Sequence, residues 1–214
     1  MDEEIVIINT KTRNEKVKNF IIDNKRNIII LTLLIILFIF SYFIYEETKK
    51  RNKINIANKY NSITAIFLSG EKKETEKNLV DIVYEKEKTY SLLALFFLID
   101  NNIIKEKNKI NSLFDVVINE IKQEKEIKNL LIYKKALYNS DFTNENELIK
   151  ILNPLINSDS IWNSHALHLM GEYFYFKGEK RKSKEFFEKI LILEKSNLNI
   201  KRQAQKRINR DFSE

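Results

Sequence analysis

The chain has 214 residues with a net charge of +7, three Gly, one Pro and no Cys. The absent thiols exclude a disulfide scaffold, a thiol nucleophile and any cysteine-ligated metal or cluster, while so few Gly and Pro argue against a turn-dense β fold. The excess charge is local: residues 1–27 carry +1, 46–60 carry +3 and 200–214 carry +3, while 61–199 balance to zero, so no basic face of the kind a nucleic-acid module shows is present.

The first predicted element is the run IIILTLLIILFIFSYFIY, residues 28–45, with no charge, Gly or Pro. As a helix it spans roughly 27 Å at ~1.5 Å per residue, close to the ~30 Å hydrocarbon core of a bilayer. It predicts a transmembrane anchor at 28–45, after a tail at 1–27 and before a globular domain at 46–214. A cleavable signal is a poorer fit, because the head is long, the run exceeds a signal's apolar stretch and Glu46-Glu47-Thr48-Lys49-Lys50 offers no small-residue cleavage site. A buried core helix would need a polar stripe, and Tyr42 and Tyr45 instead suit the interfacial belt. Lys and Arg within fifteen residues of each end tie at five, so charge counting leaves orientation open. Lys25-Arg26 against one end and Glu46-Glu47 against the other lean towards a cytoplasmic tail and an exported domain.

Beyond the anchor the apolar spacing is helical. Ile54, Ala57, Ile63, Ile66 and Phe67 predict a continuation that stops near Gly70, and Leu79, Ile82 and Val83 predict a second helix. Then follow 90–99, 110–121 (Leu113, Phe114, Val117, Ile118), 127–137 (Leu130, Leu131, Lys134, Leu137), 148–155, 161–176, 181–193 and 198–208. The breaks SGEKKE, NNIIKEKNK, NSDFTNE, NSDS and KGEK are short and polar, with Thr75, Thr143 and Ser160 (or Asp159) as predicted caps. Pairs that begin near 89, 125 and 160 repeat at a spacing of about 36 residues, close to the ~34-residue period of tetratricopeptide arrays. The expected fold is therefore all-α: one transmembrane helix, then a tetratricopeptide-like solenoid of helical hairpins.

The last pair is the most informative. Leu167, Met170, Gly171 and Phe174 fall on one helix face, Gly178 takes the turn, and Ser183 and Phe187 project from the second helix. Gly171 allows a neighbouring backbone to approach, and Gly178 suits a helix end that needs positive φ. These seven positions are the expected repeat core. They resemble the tetratricopeptide pattern, with Leu167 where that pattern has Trp, Met170 for Leu, Ser183 for Ala, and no closing Pro.

Residues 129–208 carry a wider resemblance, on Leu152-Asn153-Pro154-Leu155, Ser160-Ile161-Trp162, Met170-Gly171 with Gly178, and Gln203-Ala204 with Arg207. With the preceding anchor, they resemble the YfgM-like family, ancillary subunits of the SecYEG translocon in the bacterial inner membrane with one N-terminal anchor and a periplasmic tetratricopeptide-like domain. The resemblance implies a cytoplasmic tail, an exported domain, and a role near the translocon with newly exported polypeptides or periplasmic chaperones.

Chemistry is sparse. His165 and His168, with Glu172 four residues on, could hold a metal only with ligands from elsewhere, and no H-E-x-x-H, phosphate loop or nucleophile elbow is present. No enzyme, metal or cofactor is expected. In the repeat register His165, His168, Glu172, Tyr175 and Phe176 lie on the face that such arrays turn to their concave groove, which makes them candidate peptide contacts. Trp162 reads as core. The expected function is a membrane-anchored protein-binding scaffold beside the Sec translocon; an assembly protein for envelope biogenesis or division with the same fold is the alternative. The run has no small-xxx-small pattern to favour anchor-driven dimers.

Overall fold

The computed structural model describes residues 15–70 and 74–212, which are helical with short connections and contain no strand. The chain divides into two compact units, Met1–Asn55 and Ile56–Glu214.

In the first unit, helix α1 covers 15–23 and the ladder is interrupted at Asn24. Helix α2 then runs Lys25–Leu68 and continues past the unit boundary, so the apolar run lies inside a longer element. Among the described residues α2 is the helix long and apolar enough to cross a membrane, and none of its apolar window is buried by protein. Leu37 is 65% exposed and Phe38 75%. A helix apolar all round and uncovered calls for a non-aqueous surrounding. A polar atom within the run agrees: the Thr32 hydroxyl donates to the Ile28 carbonyl at 2.8 Å, one turn back, which removes the cost of a bare hydroxyl in hydrocarbon.

In the second unit the tail of α2 is followed by α3 (Thr75–Tyr84), α4 (Tyr90–Asp100), α5 (Lys107–Asn119), α6 (Lys125–Asn139), α7 (Glu145–Ile156), α8 (Asn163–Phe176), α9 (Lys180–Ile192) and α10 (Leu198–Asp211). The apolar spacing locates each of them, and polar contacts set the ends. At α4 the Glu87 carboxylate accepts the amides of Thr89 and Tyr90, both at 2.7 Å, filling part of the unpaired first turn. The cap of α7 is Asn144 rather than Thr143: Asn144 accepts the Glu147 amide at 3.0 Å, and the Thr143 hydroxyl donates to the Glu147 carboxylate at 2.6 Å. Helix α8 begins at Asn163, because Ser160 Oγ holds the Trp162 amide at 3.1 Å and keeps Ile161 in the turn. Gly178, at φ +79°, closes α8 through Glu179 N–H to Phe174 C=O and Gly178 N–H to Tyr175 C=O, the paired bonds of a left-handed helix stop. Asn102, at φ +49°, does the same for α4.

From α3 onward every helix packs on the next, and contacts that skip one helix join α3 to α5, α6 to α8 and α8 to α10. Helices α3, α4 and α5 each contact the other two and form a leading group. Three overlapping cores result. The first holds α3–α5 with Leu131 of α6, and Tyr60 of α2 joins it edge-on to Phe97 at 6.3 Å. The second lies between α6, α7 and α8, and the third between α8, α9 and α10. Ile132 touches the first two, and Ile156 and Phe186 the last two.

At the α8–α9 crossing Gly171 does what its place in the pattern requires. A Cβ there would lie 2.7 Å from the Phe187 ring, and Ser183 Oγ donates to the Gly171 carbonyl at 2.7 Å. Leu167, Met170, Phe174, Ser183 and Phe187 are all buried. Of Tyr173-Phe174-Tyr175-Phe176 the first two are buried, Tyr175 is half-buried and Phe176 is 86% exposed.

Candidate functional site

The five side chains singled out on α8 do not share one open surface. Glu172 accepts both arms of the Arg207 guanidinium from α10, Nε at 2.7 Å and Nη2 at 2.6 Å. That guanidinium lies 4.1 Å above the Tyr175 ring and is also bonded to Asp211, a forked and stacked arrangement that Lys could not reproduce. Tyr175 meets Phe212 edge-on at 6.0 Å, and His168 meets Phe187 at 5.5 Å. The side of α8 that carries His168, Glu172 and Tyr175 therefore faces α10. His165 lies elsewhere, 4.9 Å from Trp162 and 5.8 Å from Tyr133, with Trp162 stacked on Tyr133 at 5.6 Å. Among the described residues no three His, Asp or Glu side chains are placed to hold a metal ion.

Both histidines are held towards the neutral form. Burial lowers the His168 pKa; Glu172, whose carboxylate lies 3.8 Å from Nε2, opposes the shift, and Arg207 and His165 add to it. Burial likewise lowers His165, against a smaller opposing effect of the Ile161 backbone. A folded-state pKa below the unfolded one means that the unfolded chain takes the proton more readily. Stability from these residues is thus complete above the ordinary value of about 6.5 and is lost as pH falls through the lower folded values. Urea titrations at about pH 7.5 and about pH 5.5 are expected to show a lower midpoint in acid, and His168→Gln to shrink that difference.

An opening with the shape of a site lies elsewhere. Helix α6 packs against both α5 and α7, whose backbones do not come close to each other, and between them lies a cleft of about 660 Å³, within the ~300–1,000 Å³ range of ligand sites. Each helix contributes one face at helical spacing: Asn111, Asp115 and Ile118 from α5, Lys128, Ile132, Lys135 and Asn139 from α6, and Glu147, Lys150, Ile151 and Pro154 from α7. Ile118, Ile132 and Ile151 supply the apolar part. Asn111 and Asn139 exchange side-chain hydrogen bonds at 2.9 and 2.8 Å, and Asn139 also donates to the Lys135 carbonyl at 2.7 Å. Both amide hydrogens of Asn139 are thereby used, while Asn111 keeps one N–H for an entering group. Lys135 is paired with Asp115 at 2.6 Å. Lys128 and Lys150 are exposed and, among the described residues, form no ion pair.

The apolar spacing of α6 pointed to Leu130, Leu131, Lys134 and Leu137 as its packed stripe. Leu131 is packed as expected, but the other buried positions are Asn129, Ala136 and Asn139, and Leu137 is 43% exposed. Two asparagines among the core-facing positions are the signal in the chain that this helix carries something besides packing. Searches with family models, among characterised proteins and among solved structures find no match to this chain.

Proposed function

We propose that the chain is a membrane-anchored scaffold that holds polypeptide segments in the cleft over α6, and that it works as an ancillary subunit beside a bacterial Sec translocon. The carrying observation is the cleft itself, a three-walled groove with an apolar floor and two unpaired cations, on a chain with one membrane-length apolar helix. The exposed face of α6 from Lys128 to Asn139 spans roughly 16 Å, room for about five extended residues or three turns of helix. Lys128 and Lys150 favour a segment with acidic residues around an apolar centre, and Asn111 offers its spare amide hydrogen to the segment's backbone. Tethering at the membrane turns weak groove contacts into effective capture by raising local concentration.

The tetratricopeptide-like reading applies to α6–α10. It is supported by hairpins that start at Lys125 and Asn163 with α10 following at Leu198, by α6–α8–α10 contacts, and by the Gly171–Phe187 approach. In this reading α3–α5 are a separate leading group and α10 is the polar-faced cap that solenoids require. The proposed topology is a cytoplasmic N-terminus and an exported domain, on the strength of Lys25-Arg26; a C-terminal reporter active only outside the cytoplasm is the expected result.

The test is photocrosslinking in native membranes from probes at Lys128 and Lys150. Adducts with translocon subunits, exported chains or a periplasmic chaperone are expected, and they should fall several-fold when Asn111→Ala and Ile132→Asp are added. Adducts that persist in that variant would refute the cleft, and capture of division or cell-wall factors alone would replace the translocon reading with envelope assembly.

A further inference from the structure

A second membrane contact lies before the anchor. In α1 the apolar side chains Val17, Phe20 and Ile21 are 54%, 63% and 51% exposed. They follow i, i+3, i+4 spacing and so form one stripe, which no protein surface covers among the described residues. At 3.6 residues per turn, Lys16 and Lys18 project about 100° to either side of Val17, Glu15, Asn19 and Asp23 fall on the opposite face, and Ile22, 59% exposed, lies beyond Lys18 at the edge of that face. This is an apolar face with a cation on each flank, the arrangement in which long side chains run along the apolar boundary and raise their ammonium groups to the headgroups. Over 15–26 there are four cations against two carboxylates, an excess that suits anionic headgroups.

We infer that α1 is an interfacial helix that lies in the headgroup layer with Val17, Phe20 and Ile21 in the lipid. The inference rests on the assignment of 28–45 as a span, which fixes the occupant: only a few residues separate Phe20 from the start of the apolar run, so the surface within reach of the stripe is the bilayer. Asn24 is the one residue between the two helices, where the regular helix lapses. Its side-chain amide and its backbone amide both donate to the Phe20 carbonyl at 3.0 Å, a local side-chain bond of the kind that competes with the helical ladder. The short polar link from Asp23 to Asn27 keeps α1 out of the hydrocarbon core, where Asp23, Lys25 and Arg26 would each be costly. The function conferred is a rotational and depth constraint, with the tail held against the membrane instead of free in water.

The chain has no Cys, so single-cysteine spin labels report one position each. The experiment uses the full chain in vesicles of phosphatidylcholine, with and without phosphatidylglycerol, with labels at each of residues 16 to 23 and at Leu34. Expected is several-fold lower collision with aqueous nickel at Val17, Phe20 and Ile21 than at Asn19 and Asp23. The contrast should sharpen with phosphatidylglycerol and weaken in Lys16→Gln/Lys18→Gln. Equal aqueous access at all α1 positions with Leu34 protected overturns the interfacial helix alone. Aqueous access at Leu34 as well overturns the span on which it rests. Protection that grows steadily from Lys16 to Asp23 without a helical period places α1 within the span and also overturns the inference.

Discussion

Phe187→Ala should destabilise the second unit by about 3–5 kcal/mol, the cost of emptying a fully buried aromatic site. Phe187 has no exposed surface and lies against Gly171, His168 and Phe212 at once. The cavity would sit in the third core, where α8, α9 and α10 meet, and Gly171 has no side chain with which to fill it. Loss should therefore be largest at the C-terminal end: α10 amides should lose hydrogen-exchange protection before those of α4 and α5. Equilibrium unfolding followed by both circular dichroism and hydrogen exchange tests this, and equal loss of protection along the unit would show that the three cores do not separate.

The second large effect is on the anchor. Residues 28–45 include fourteen Ile, Leu and Phe; at roughly −0.3 to −0.6 kcal/mol each near the helix centre, insertion is favoured by something on the order of 5 kcal/mol. Leu34→Asp with Ile35→Asp replaces two central favourable residues by two that each oppose insertion by about 2.5–3.5 kcal/mol, a swing that cancels the total. The double variant is expected in the soluble fraction after carbonate extraction, with wild type in the pellet. Unchanged pelleting would mean that protein contacts and not lipid hold the chain there.

The membrane-length apolar helix and the order of helices are legible in the sequence because each is a local property: an apolar run, or apolar residues at 3.6-residue spacing, needs no knowledge of the rest of the chain. The α8–α9 contact is legible for a related reason. A Gly inside a helix costs about 1 kcal/mol against Ala, so Gly171 announces a close approach before its partner is known. Arg207 is the opposite case. In the sequence it is one of five cations in the last fifteen residues and reads as part of a basic patch. In the structure it is bound to Glu172 and Asp211 and stacked on Tyr175, partners set by how α10 crosses α8. The cleft over α6 is illegible because it exists where the backbones of α5 and α7 do not come close to each other. Helix α1 is hidden because Asp23–Asn27 break the apolar pattern before it reaches the run.

The helices of the second unit touch partners one or two elements away along the chain. Such short-range connectivity folds quickly, because little loop entropy is lost before contacts form. It also sets an order of maturation for a polypeptide delivered N-terminus first. The group of α3, α4 and α5 can collapse while later helices are still being supplied, but it stays unsealed until Leu131 arrives and Tyr138 meets Phe114. Leu131 belongs to the same helix that carries Lys128, Ile132 and Asn139. The segment that closes the first core is thus the one that forms the floor of the cleft, and a nascent chain cannot finish its leading half without beginning that cleft.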